Sequence, residues 1–303
     1  MRAGELFEVG IGHRRAIVSE QGASLVQVRW DGVELLSTVT DDGFAGPGAH
    51  GQLLVPWPGR VAKGSYEYEG SRYQLPVDDP ATSAAIHGLV RWASWQPKDH
   101  GPGRLTLGHR LLATPGYPFP LELEQSYAWT GDQLEISFSA RNIGARTAPF
   151  GYGCHPYFSV GSPTVDDDIL RVPANCYVPG DEDLNAAGPL RPVDGTSFDF
   201  RQARPISRAK LDLTLADLDR DGEGAVAVSF RAPGSGPSIT CRYEHPIRYV
   251  QLYSGDTLPE GRRQGLAIEP YTCVPNAFNN GVGLIHLAAG GTVRARWALS
   301  ARL

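Results

Sequence analysis

The chain has 303 residues, of which 41% are hydrophobic and 20% charged, a composition that describes a globular protein with a sizeable core and excludes a disordered one. Its 28 lysines and arginines fall short of 33 aspartates and glutamates, the formal net charge is -5, and no basic run occurs, so a nucleic-acid partner is not expected. No linker, repeat period or low-complexity tract divides it, and large all-β sandwiches run to about 250 residues as one unit, so a single domain over 1–303 is expected.

Met1 to Val9 has neither the apolar core nor the small-residue cleavage site of a signal peptide. No later apolar stretch approaches a membrane span, so the expectation is a cytoplasmic protein with no membrane partner. Cys154, Cys176, Cys241 and Cys273 are far apart with no CxxC pair, which predicts reduced, mostly buried thiols rather than a zinc knuckle or a disulfide framework.

Along the chain, apolar and polar residues alternate between turn-formers, and helical spacing is scarce. Leu25 to Trp30 runs into Asp31-Gly32 and resumes at Val33 to Leu36, a hairpin in which Asp-Gly supplies the positive φ of a tight turn. Ser65 to Tyr68 and Arg72 to Leu75 make a second pair around Glu69-Gly70-Ser71. The clearest pair follows. Leu121, Leu123, Tyr127 and Trp129 share one parity, and after Thr130-Gly131-Asp132 so do Leu134, Ile136, Phe138 and Ala140. Further strands are read at 226–231, 239–243, 249–253 and 293–303. With 36 glycines and 24 prolines to supply turns, the class is all-β, a large antiparallel sandwich with few short helices.

Gly43 to Gly51 and Pro233 to Pro237 read as loops. The first leads into Gln52-Leu-Leu-Val-Pro-Trp-Pro-Gly-Arg60, where a guanidinium on a short rigid turn can donate several directed hydrogen bonds to sugar hydroxyls or an anion; the alternative is a surface arginine. Ile86-His-Gly-Leu-Val-Arg-Trp92 sets His87 before a glycine, with Trp92 and Trp95 behind it. In Gly151-Tyr-Gly-Cys-His-Pro-Tyr-Phe158 the glycines allow close backbone approach and the aromatics give flat walls. His155 is the group there able to move a proton near neutral pH. That furnishes a polyol pocket; a histidine simply buried within a sheet is the other reading. Gly265-Leu-Ala-Ile-Glu-Pro-Tyr271 ends an apolar run on Glu269, and Pro270 predicts that the strand stops or bulges there. Buried glutamates are rare unless paired or functional.

Together these segments resemble the aldose 1-epimerases, or mutarotases, of the galactose-mutarotase-like fold. Pro58-Gly-Arg60 is similar to the family's Asn-Arg turn and Ile86-His-Gly88 to its Leu-His-Gly. Cys154-His-Pro-Tyr-Phe158 is similar to its His-Thr-Tyr-Phe, and Gly195-Thr-Ser-Phe-Asp-Phe-Arg201 to its Gly-Thr-Pro-Phe-Asp-Phe-Arg. Glu269-Pro270 resembles the segment carrying its catalytic glutamate, and Gly116-Tyr-Pro-Phe-Pro120 also looks like the family. The chain departs from the pattern with Gly59 for asparagine, Pro156 for threonine and Leu89 for a second glycine.

The resemblance implies a large supersandwich and an enzyme that interconverts the α and β anomers of a hexose by opening and reclosing its ring. Glu269 would be the base at the anomeric hydroxyl and His155 the acid at the ring oxygen, reasonable roles if the pocket moderately favours imidazolium. Arg60 and His87 would hydrogen-bond the sugar, with Trp92 or Tyr157 stacked on its apolar face. Asp212, with Asp217 in reserve, would hold it as well. The expected partner is a small aldose, with no metal and no cofactor; sugar identity and oligomeric state are not encoded in these motifs. A glycoside hydrolase would need two facing carboxyls where one is convincing. A sugar sensor on the same scaffold would need neither Glu269 nor His155.

Overall fold

The computed structural model describes residues 4–37 and 48–303, so 43–47 of the loop read before Gly51 lie outside the described residues. Strands β1 (Leu6–Ile11), β2 (Arg14–Ser19), β3 (Leu25–Trp30) and β4 (Val33–Glu34) form a four-stranded sheet in chain order. Asp31 and Gly32, both at positive φ, close the β3–β4 hairpin as the sequence predicts. Next come β5 (Leu53–Leu54), β6 (Arg60–Ala62), β7 (Ser65–Tyr68), β8 (Ser71–Gln74) and β9 (Ala84–Ile86). The β7–β8 turn is the two residues Glu69-Gly70, also at positive φ, and β6 pairs with β9.

A meander follows, of β10 (Gln96–Gly101), β11 (Arg104–Leu111), β12 (Leu121–Thr130) and β13 (Gln133–Asn142). The register sets Trp129 opposite Leu134 and Tyr127 opposite Ile136, and the parity read from the sequence is the buried face. The middle of the chain supplies β14 (Ala148–Phe150), β15 (Gly153–Cys154), β16 (Tyr157–Phe158), β17 (Ile169–Arg171), β18 (Ala174–Val178), β19 (Arg191–Pro192) and β20 (Arg204–Pro205). The last part adds β21 (Asp212–Leu218), β22 (Val226–Arg231), β23 (Ser238–Tyr243), β24 (Tyr249–Tyr253), β25 (Leu266–Tyr271), helix α1 (Ala277–Asn280), β26 (Ile285–Leu287) and β27 (Thr292–Arg302).

Two antiparallel sheets dominate. One has nine strands in the order β10-β11-β12-β13-β27-β23-β22-β17-β20. The other has eight, β19-β18-β21-β24-β25-β15-β5, with β16 also on β25. They face each other through a buried aromatic layer. Phe138 of the first stacks on Tyr152 with centroids 4.9 Å apart, Trp297 Nε1 donates to Tyr152 Oη at 3.1 Å, and Tyr243 Oη donates to Ile268 O at 3.2 Å. Tyr127 Oη donates to Ala23 O and Trp129 Nε1 to Val9 O, which fastens the four-stranded sheet to β12. Cys154, Cys241 and Cys273 are buried and Cys176 half-buried, all as free thiols. Among the described residues no helix is long and apolar enough to cross a membrane.

Strand β25 corrects one expectation: it neither ends nor bulges at Glu269-Pro270 but pairs with β24 through Tyr271. Ile268 N donates to Pro156 O on the side away from β24, and the nitrogen of Pro270, two residues on, lies on that same side. There β15 and β16 are interrupted by His155-Pro156, so the proline removes no bond of the β24 ladder. All six residues of β25 are buried because both its faces are covered. Leu266 and Ile268 join the main core, while Ala267, Glu269 and Tyr271 turn to the opposite face, where a cavity opens.

Candidate active site

The cavity, about 580 Å³, lies on the face of the eight-stranded sheet turned away from the nine-stranded one. Period-two alternation sets its floor: Thr214, Gln251 and Glu269 stand in register on β21, β24 and β25, with Asp212 one step along β21 and Tyr271 one step along β25. Thr214 Oγ1 donates to Gln251 Oε1 at 2.6 Å, which turns the amide so that its Nε2 donates to Asp212 Oδ1 at 3.0 Å. Asp212 is open to the cavity yet walled by protein. That desolvation raises its pKa, against the pull of Arg60 and of the Gln251 amide.

Glu269 is 1% exposed and its Oε2 accepts a hydrogen bond from Tyr271 Oη at 2.8 Å. Burial pushes its carboxyl well above the ordinary range. The Tyr271 hydroxyl and Arg60 pull it down, and Asp212 adds to the rise. Its Oε1 lies 3.5 Å from His155 Nε2. Every residue of the segment 151–158 is buried, and burial followed by the nearby His50 pushes the His155 imidazole down to about 3. Burial thus works against the condition set for His155 as an acid, a pocket that favours imidazolium. Burial disfavours each charge, and at 3.5 Å the two groups are close enough for the protonation of one to bear on the other.

His87 and Gly59 bind each other through their backbones and one ring. His87 N donates to Gly59 O at 2.8 Å and Gly59 N donates to His87 Nδ1 at 3.2 Å. Since Nδ1 accepts, and since burial and then His155 hold the ring far below its usual pKa, the proton of the neutral imidazole is on Nε2. Gly88 allows this turn: at φ +78 a Cβ would stand 2.0 Å from Val55 O. Arg60 is tied through Nε to Asp79 Oδ2 at 2.9 Å, and Arg91 through Nη2 to Asp78 Oδ2 at 2.7 Å. Against the upward push of burial, the Thr82 hydroxyl and Arg60 hold Asp79 below the carboxylate range.

Of the residues singled out from the sequence, the fold brings Arg60, His87, His155, Tyr157, Asp212 and Glu269 to one cavity. Trp92 does not line it; that ring is 46% exposed beside the Arg91 guanidinium, 5.3 Å from its centroid. Asp217, five residues from Asp212 and so of opposite parity, is also outside the lining. Tyr157 lines the cavity with its ring already stacked on two histidines. His155 lies parallel to its ring at 4.8 Å and His50 at 3.9 Å. Its hydroxyl donates to Gly48 O. Sequence reasoning missed Asp78, Asp79, Gln251 and Tyr271. The last was within reach, since a residue two along from Glu269 shares its face.

Comparison with known proteins places this geometry. The model of the aldose 1-epimerase family matches residues 5–300. The Escherichia coli K12 protein YihR, uncharacterized, is 35% identical over 292 residues, covering 95% of this chain and 90% of that one. The galactose mutarotase of Sus scrofa is 26% identical over 66% of this chain, which spans 60% of that protein's length. A solved structure of a GalM/aldose epimerase homologue from C. elegans superposes with a TM-score of 0.88 over 98% of both chains at 19% identity, a likeness of fold. With its motifs gathered on one face of that fold and the family model matched almost end to end, the chain belongs to the aldose 1-epimerase family, a family of isomerases.

Proposed function

We propose that the protein is a mutarotase that interconverts the α and β anomers of a hexose, with Glu269 as base and His155 as acid. The carrying observation is the 3.5 Å approach of His155 Nε2 to Glu269 Oε1 on the cavity floor. The anomeric oxygen and the ring oxygen are both bonded to C1 of the sugar, so an acid and a base side by side can serve the two at once. Glu269 Oε1 takes the anomeric proton and C1 becomes a carbonyl. The bond from C1 to the ring oxygen breaks with its electron pair on oxygen, and His155 Nε2–H protonates that oxygen. Rotation about C1–C2 presents the other carbonyl face, and reclosure returns both protons with the roles exchanged.

The working form carries one proton on the pair, as glutamate with imidazolium. It has the same net charge as the neutral pair that burial favours, so reaching it needs only an internal proton shift. The Nε2–H of His87 and the Arg60 guanidinium donate to sugar oxygens, while Asp212 accepts from a hydroxyl. Adding purified protein to freshly dissolved pure anomers of a panel of neutral and anionic aldoses tests this by proton NMR. Equilibration is expected to accelerate for at least one sugar without a change in the final ratio. No acceleration over buffer across the panel refutes the reading.

A further inference from the structure

We propose that Tyr271 is the positioning residue of the base: its hydroxyl holds Oε2 of Glu269 so that Oε1 alone is left for the sugar and His155. The proposal rests on the reading of Glu269 as base. Tyr271 Oη donates to Oε2 at 2.8 Å, and among the described residues no other hydrogen bond reaches that carboxyl. A carboxylate offers about four lone-pair directions on two oxygens, so fixing one oxygen selects which faces the substrate.

The ring reaches this position through a gap left by a missing side chain. Gly153 is paired with Tyr271 across β15 and β25, and a Cβ there would lie 2.7 Å from Pro58 Cβ and 2.9 Å from Tyr271 Cδ1. That is the close approach for which the segment 151–158 needs its glycine. Tyr271 is itself 1% exposed and its own ionisation is pushed well above the ordinary phenol range, so it stays a donor at any working pH.

The other groups around the carboxyl have different tasks. From β6, Arg60 is committed through Nε to Asp79; from β21, Asp212 is a like charge. From β16, Tyr157 donates to Gly48 O, and from β23, Tyr243 donates to Ile268 O. From β15, the Cys154 thiol is pushed up to about 12 by burial and stays neutral, and His155 faces the other oxygen. Among them Tyr271 alone is a neutral donor placed on Oε2.

A hydrogen bond donated to a carboxylate favours its ionised form, so removing it must raise the pKa of Glu269. The test is Tyr271→Phe, which deletes the hydroxyl and keeps the ring. The carboxyl is titrated by infrared difference spectroscopy in the parent and in the variant, each referenced to a Glu269→Gln control. The midpoint is expected to move upward. In anomer exchange the plateau of kcat should fall roughly tenfold or more, with KM within about twofold. The alkaline limb, where the pair loses its shared proton, should shift to higher pH. A purely structural lesion lowers the plateau or the folded fraction without moving that limb.

Gly153→Ala is the second variant, since its Cβ presses on both Pro58 and the Tyr271 ring while the hydroxyl is kept, and the same upward shift is expected. If Tyr271→Phe does not fold, Gly153→Ala decides. An unmoved midpoint in the folded variants overturns the proposal, as does an unmoved alkaline limb in an active enzyme. The infrared midpoint needs no turnover. A parent that exchanges no anomers therefore defeats the functional reading, while the midpoint still decides whether Tyr271 holds the carboxyl.

Discussion

Gly59 and His87 fix each other's state: the backbone of Gly59 both accepts from His87 N at 2.8 Å and donates to His87 Nδ1 at 3.2 Å. One tautomer of the imidazole is thereby selected, with its remaining N–H available to the cavity. His87→Ala removes that donor, and Arg60→Ala removes another, while Glu269 and His155 themselves are kept. Each is expected to raise KM about tenfold and to lower kcat less, as lost positioning does. Steady-state exchange rates across sugar concentrations check it; parent-like kinetics in both would place the sugar elsewhere.

Glu269 sets stability against function. Burial raises its folded-state pKa, so the folded protein keeps a proton that the unfolded chain releases once pH passes about 4.3. Folded stability therefore declines as pH rises from there through the raised value. Glutamine has no proton to lose. Glu269→Gln is expected to match the parent near about pH 4, to exceed it in urea midpoint at about pH 8, and to lose roughly 10² to 10⁴-fold in anomer exchange. A variant less stable at the higher pH, or one with full activity, contradicts the account.

His155 makes the acid side of the rate profile unusual. With its imidazole pushed down to about 3 by burial and then His50, a second proton enters the pair only in strongly acid solution. From about pH 5 to 7 kcat/KM should be level, whereas an ordinary histidine gives a break near about 6.5. Such a break in NMR-monitored exchange would show that His155 titrates as a solvent-exposed ring.

Trp92 lies outside the cavity lining with 46% of its surface exposed. Trp92→Ala is accordingly expected to leave exchange rates within about twofold of the parent, the usual range for a surface substitution. A tenfold loss on the best substrate would return that ring to the site.

The hairpins were legible because their information is local. Asp31-Gly32 and Glu69-Gly70 meet the positive-φ demand of a two-residue turn, and Leu121 to Ala140 carries a parity that only one pairing preserves. The family was legible through motifs that each sit on one short segment, as at His87, His155 and Glu269, which the fold brings to one cavity. What failed were statements needing a second segment. Whether Trp92 reaches the cavity depends on where the segment after His87 turns, and whether β25 survives Pro270 depends on where β15 and β16 part. Neither of these is a property of the residue's own neighbours in sequence.

The order of the eight-stranded sheet also bears on how the molecule comes into being. Leu54 on β5 pairs with Gly153 on β15, which in turn pairs with Tyr271 on β25, so two successive ladders each join positions about a hundred residues apart in the chain. Such closures carry high contact order and slow the approach to the native state. Until β25 is in place, β15 has no partner on that side, and neither Glu269 nor the wall opposite His155 exists. Recovered turnover after dilution from denaturant is therefore a clock for the last closure of the sheet, and it should lag behind any signal from the β12–β13 hairpin.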